Sequence, residues 1–216
     1  ASTDHSMLLS TGNMIQIFGF GYSRSKGDLD KGQYEKFERI NFASGTCIFT
    51  SKKTIERIGL FEPFLFAFHD DLELCWRGAL IGISSFYVPS SLVYHPIEGY
   101  SFKWSPLKSK RLERNRKYCL LTLYSRSTFF KMIPGLLLID IAVLFFYIFK
   151  GLGKMKISAD IEILKNVSLT GDYPLGNVQA TLKRWQDFDR QLRNELVKIR
   201  ASHKHIDAEK YLRQEK

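Results

Sequence analysis

At 216 residues, with 44% hydrophobic and 14% aromatic content, the chain carries enough apolar side chains for a buried core, which excludes a disordered protein and suggests one domain, with or without an appendage. Its three cysteines, Cys47, Cys75 and Cys119, make neither a CxxC pair nor a paired framework; this argues against a disulfide scaffold or structural zinc and fits a reducing cytosolic setting. A formal charge of +10 and a pI near 9.5 call for an anionic partner, whether nucleic acid, an acidic lipid surface or a phosphorylated substrate.

The chain opens on Ala1-Ser2-Thr3-Asp4, with no basic stretch and apolar run of the kind that makes a signal peptide, so the start reads as a cut. Met7-Leu8-Leu9 and Met14 to Phe18 are β-prone, and Gly19, Gly21, Gly27 and Gly32 punctuate them, which predicts short strands and loops over residues 1–45. Thr46 to Thr50 reads as a buried strand. A short helix is expected over Lys52 to Ile58, ended by Gly59, followed by the aromatic run Phe61, Phe64, Phe66, Phe68. Asp70 and Asp71 then open a helix of about three turns, in which Leu72, Cys75, Trp76, Ala79 and Leu80 recur at helical spacing before Gly82.

Ile83 to Val88 reads as a strand, Pro89-Ser90-Ser91 as a turn, and Leu92 to Tyr94 as a second strand that delivers His95 at its end. Lys103 to Tyr118 is basic, with Pro106 placed to start a helix. Phe129 to Phe149 is apolar except for Lys131, Pro134-Gly135 and Asp140. Beyond Lys150, apolar residues from Val178 to Ile199 recur every three or four positions, the pattern of an amphipathic helix.

Adjacent carboxylates at a helix N-terminus serve as caps, as metal ligands or as a general base, and the apolar flanks of Asp70 and Asp71 place the pair at a rigid, partly desolvated edge. His95 either ligates a divalent metal or caps its strand. The arginines Arg111, Arg114 and Arg116 either grip a diphosphate through their guanidinium forks or line a solvated basic helix. Gly45, after Ala43-Ser44, either admits a substrate close to the backbone or makes an ordinary turn. Asp28-Leu29-Asp30 has the spelling of an Asp-x-Asp metal motif, but it lies in a Gly/Lys-rich loop and not at the end of an apolar strand.

In order, Ala43-Ser44-Gly45, Ile58-Gly59-Leu60-Phe61-Glu62, Phe64 to Phe68, Asp70-Asp71-Leu72-Glu73-Leu74-Cys75-Trp76-Arg77, Val88-Pro89-Ser90, Tyr94-His95 and Arg114-Asn115 resemble the C-terminal half of the family-2 inverting glycosyltransferases with a GT-A fold, in the rhamnosyltransferase-like and galactofuranosyltransferase-like branch. The resemblance covers about residues 5–150 and departs from the family where Asp70 replaces Glu and Glu73 replaces Asp. It implies an α/β fold: the C-terminal part of a GT-A nucleotide-diphospho-sugar transferase with appended membrane-associated helices. Asp71 then aligns with the general base, with Asp70 beside it; His95 aligns with a ligand of Mg²⁺ or Mn²⁺ on the donor diphosphate; Ser44, Gly45, Trp76, Arg114 and Asn115 fall at substrate-binding positions. The family's donor half, with its Asp-x-Asp, would lie upstream of Ala1, so the chain as given is expected to turn over poorly alone.

The implied organisation is an acceptor-side half-domain at 1–125, an apolar membrane-associated region at 126–156 and a basic amphipathic tail at 157–216. The implied partners are a nucleotide-diphospho-sugar donor, a glycan or lipid-linked acceptor and an anionic membrane surface, at the cytoplasmic face of the cell membrane, with homo-oligomers possible through the tail. The apolar segment is open to three readings: a spanning helix, an in-plane or re-entrant one, or a buried core helix. A non-enzymatic membrane-binding or scaffold module is the alternative function. Nucleic-acid binding would explain the charge but not the apolar segment, and no nucleic-acid motif is visible.

Overall fold

The structure is a computed structural model that describes residues 7–95 and 105–170, together with Lys183, Asp187 and Arg190. Most of the periodic stretch from Val178 to Ile199 lies outside the described residues. The elements run β1 (Asn13–Ile15), β2 (Gly21–Ser23), β3 (Glu38–Ile40), α1 (Lys52–Ile58), α2 (Asp70–Leu80), β4 (Ser85–Tyr87), α3 (Pro106–Leu123), α4 (Arg126–Phe149) and α5 (Gly153–Thr170).

Local signals account for the helix starts. The Ser51 side chain accepts from Thr54 N, and Gly59 at φ 85° closes α1; Ser105 caps α3 ahead of Pro106 in the first turn; Ser125 caps α4. The strands are short and antiparallel. β1 pairs with β2 from Asn13↔Ser23 to Ile15↔Gly21, and β3 pairs with β4 from Glu38↔Tyr87 to Ile40↔Ser85. An isolated bridge from Asn13 to Phe42 ties the two ladders together.

Two expected strands do not form. Thr46 to Thr50 is irregular, with Phe49 99% exposed, and Leu92 to Tyr94 joins no ladder. Both are apolar or β-branched segments that lack a neighbouring edge, and without a partner their backbone groups gain nothing from extension. α4 begins at Arg126, and α5 runs through positions 156 and 157.

The core gathers around α3: Tyr118, Cys119 and Leu123 bury against Phe42, Leu65, Leu72 and Ile163. A loop of left-handed residues leads into α2, with Phe66 at φ 60°, Phe68 at φ 69° and His69 at φ 62°. Each costs about 1 kcal/mol or more in that conformation, so something must hold them there. The holder is α3. The Asn115 amide donates to the carbonyls of Leu65, Ala67 and Phe68 at 3.0, 2.9 and 2.6 Å, and Arg114 donates to those of Phe64 and Leu65 at 2.8 and 3.0 Å. Cations stacked on rings add a second row of contacts, Lys108 over Phe68, Arg111 over Phe66 and Arg114 over Phe64. Every third residue of the helix thus meets every second residue of the loop.

Asn115→Leu removes the amide from under carbonyls that face the interior, and its expected cost is about 2 kcal/mol. A urea midpoint that falls with an unchanged slope reports this; an unchanged midpoint shows that the strained loop holds itself.

Candidate active site

Asp71 occupies the first turn of α2 with Asp70 and Glu73, where the exposed N–H groups favour negative charge. Its Oδ1 accepts from Leu72 N at 2.8 Å and its Oδ2 accepts from Gly45 N, 26 residues away in sequence, at 2.8 Å. Burial pushes the Asp71 carboxyl above its ordinary value; the Gly45 hydrogen bond offsets part of that, and the charge of Asp70 adds to it. One turn further on, Cys75 Sγ accepts from Ala43 N at 3.4 Å, so one face of α2 grips the backbone of 43–45 at two points. Burial likewise raises the Cys75 thiol.

Ser44 shapes the turn itself: its hydroxyl donates to Thr46 Oγ1 at 3.1 Å and accepts from Thr46 N at 3.3 Å. A Cβ built on Gly45 would stand 3.5 Å from Asp71 Oδ2, an ordinary contact, so close packing against Asp71 does not demand glycine. Beside this turn opens a cleft of about 1200 Å³, lined by Ser44, Thr46, Cys75, Tyr94 and His95 among others. Sequence-distant candidates therefore do meet: Gly45 bonds Asp71, and Ser44 shares a cleft with His95.

Others are drawn elsewhere. Trp76 is half-buried against the core and meets Tyr124 edge to face at 5.2 Å between ring centroids. The Arg114 guanidinium, one reading of which was a diphosphate grip, donates to Glu162, to the Asn115 side chain and to two loop carbonyls. Asn115 is fully buried beneath the same loop. Arg111 stacks on the exposed Phe66 ring and is half-buried. Arg116, 2% exposed, donates to Glu113 at 2.6 Å, and Lys117 pairs with Asp140 and Asp160. The basic stretch is largely consumed inside the fold.

His95 lines the cleft beside the Ser44 turn, and among the described residues it is not part of a group of three His, Cys, Asp or Glu side chains with ligand atoms in range of one ion. Among the described residues such a group is formed by Glu113, Asp140 and Asp160. Its positive charge is already supplied by the chain, since Lys156 Nζ lies 2.7 Å from both Asp140 Oδ2 and Asp160 Oδ2, and Lys117 Nζ lies 2.6 Å from Asp140 Oδ1. Burial pushes the Asp140 carboxyl up, but hydrogen bonds from Lys117 and Lys156 outweigh it and hold it below the ordinary value.

Sequence reasoning passed over His69. It precedes Asp70 in a left-handed conformation, and its Nε2 lies 3.3 Å from the Gly19 carbonyl, which makes it the donor in the neutral tautomer. Burial pulls its pKa from 6.5 down to about 4. The unfolded chain therefore takes up a proton between these values that the folded chain refuses. Stability is complete above about pH 6.5 and declines as pH falls toward 4, by up to about 3 kcal/mol from this residue. Asp71, displaced upward, acts in the opposite sense within its own range. Urea unfolding at pH 7 and pH 5 should show a pH-dependent loss that His69→Asn, which tolerates the left-handed backbone, removes. An equal loss in both proteins would assign the slope to other groups.

Comparison of the chain with protein-family models, with characterised proteins and with solved structures finds no match.

Proposed function

We propose that the chain is the acceptor-side part of an inverting glycosyltransferase of the family-2, GT-A type, in which Asp71 is the general base. The observation that carries this reading is the setting of one carboxylate. Asp71 is fixed at a helix start by amide N–H groups from two separate segments, and burial raises its proton affinity. Two backbone hydrogen bonds leave further lone pairs on the same oxygens for an acceptor hydroxyl.

In this reading Asp71 takes the proton of an acceptor hydroxyl on a glycan or lipid-linked acceptor. The freed oxygen forms a bond to the anomeric carbon of a nucleotide-diphospho-sugar, the bond from that carbon to the diphosphate breaks on the opposite side, and the configuration inverts. The proton rests on Asp71 and the electron pair leaves with the nucleoside diphosphate. Mg²⁺ or Mn²⁺ on the donor diphosphate would supply charge neutralisation for the leaving group, and His95 is the residue of this chain that would hold it.

A non-enzymatic scaffold is the competing reading. It is favoured by the internal use of Arg114 and Asn115, which turns two substrate-binding candidates into loop supports. Asp71→Asn separates the two. In a protein that also carries the donor-binding half, acceptor-dependent release of nucleoside diphosphate from a panel of nucleotide-diphospho-sugars should be lost in the variant while the helical circular dichroism stays; turnover equal to the parent removes Asp71 from the chemistry.

A further inference from the structure

α4 is 24 residues long, about 36 Å at helical rise, and its two sides differ. On one side Phe130, Leu137, Leu138, Ile141, Phe145, Ile148 and Phe149 form a continuous stripe, each more than half exposed. On the other, buried Tyr147 donates to the Ser109 carbonyl at 3.0 Å, and Asp140 enters the ion-pair cluster that joins α3 and α5. α4 is thus tied to the folded body at Asp140 and Tyr147, with an apolar flank left outside.

This geometry decides between the readings of the segment. A buried core helix would not show such a stripe. A spanning helix would carry Asp140 to mid-bilayer with its partners Lys117 and Lys156, which belong to α3 and α5, together with Glu113, Arg116 and Asp160. Charges at that depth are expensive, and this cluster would bring six. The alternative, stripping Asp140 of both lysines, leaves an unpaired carboxylate in hydrocarbon.

We infer that α4 lies in the plane of an anionic membrane, with its Phe130 to Phe149 stripe sunk into one leaflet and the folded body remaining in water. Charge fits this occupant. Arg126 and Lys131 toward one end of α4 and Lys150 and Lys154 at the other are exposed, and the helix has no acid besides the paired Asp140. A second copy laid on the same stripe would bring these cations against each other. Ile157 and Ile161, half exposed one turn apart at the start of α5, extend the apolar surface beyond the α4–α5 turn. The inference goes beyond glycosyl transfer and stands without it, since no residue of the Asp71 site enters it.

The test uses the full chain with vesicles of phosphatidylcholine, with and without phosphatidylglycerol. Flotation should show binding that requires phosphatidylglycerol, weakens with salt, and falls about tenfold or more in Ile141→Glu, an exposed change that leaves circular dichroism intact. Spin labels at Phe130→Cys, Ile141→Cys and Phe149→Cys, in a Cys47→Ser background, then read depth. Equal shallow depths at all three support the in-plane helix. A label at 141 much deeper than those at 130 and 149 means a span and overturns the inference, as does binding indifferent to Ile141→Glu. A lipid-free dimer abolished by Ile141→Glu, with no vesicle binding, assigns the stripe to a second copy instead.

Discussion

Arg77→Met is expected to destabilise the chain by about 3–5 kcal/mol, a large part of the 5–15 kcal/mol available to a typical domain. Arg77 and Glu73 are both wholly buried, and the guanidinium grips the carboxylate in two places, Nε to Oε1 at 2.9 Å and Nη2 to Oε2 at 2.7 Å. The same guanidinium donates to the carbonyls of Ile58 and Leu60 at 2.6 and 2.7 Å, which fastens α2 to the end of α1. Methionine fills most of the volume and returns none of these bonds, so a buried carboxylate loses its counter-charge and two inward carbonyls lose their donors. Glu73→Met combined with Arg77→Met should recover part of the loss, because an apolar pair carries no uncompensated charge. Urea unfolding of the two variants checks both statements; a single-variant loss below about 1 kcal/mol would mean that water reaches the pair.

The second large effect is on turnover. With the donor-binding half present, Asp71→Asn should lower transfer by about 10²–10⁴-fold, the usual contribution of a general base. The substitution is close in shape but not neutral locally, since Asp71 accepts from two amide N–H groups on two different oxygens. An asparagine keeps one acceptor oxygen and turns its NH₂ toward the other N–H. A stability loss of about 1 kcal/mol should therefore accompany the lost activity. Urea unfolding reads the stability loss and nucleoside diphosphate release reads the activity: a loss of stability with turnover kept removes Asp71 from the chemistry.

How much was legible depended on how far apart the interacting residues lie in the chain. The bounds of α1 and the start of α3 at Pro106 are readable because each signal sits within four residues of its effect: a serine hydroxyl on an amide N–H, a left-handed glycine, a proline without an N–H. The start of α2, where His69 makes no side-chain cap, is readable from the acidic residues of its first turn. The strand expected at Thr46 to Thr50 fails for the opposite reason, since apolar, β-branched composition states a preference and only a neighbouring strand can satisfy it. The interlock of Lys108, Arg111 and Arg114 with Phe68, Phe66 and Phe64 is present in the sequence as two spacings, three and two. It becomes a ladder only when α3 runs antiparallel to the loop.

By itself the sequence determined the carboxylates at a helix start, the small turn at Gly45 and a bilayer-length apolar segment, because composition and local spacing decide these. Tertiary structure alone decided what each charge does. Arg114 meets Glu162 and Asn115 meets Leu65 across 48 and 50 residues, and Asp140, which looks like an interruption of the apolar segment, is the point at which α4 is held to α3 and α5. Coulomb partners that distant in sequence leave no local spacing to read, and burial, which determines how strongly they interact, exists only once the chain has folded.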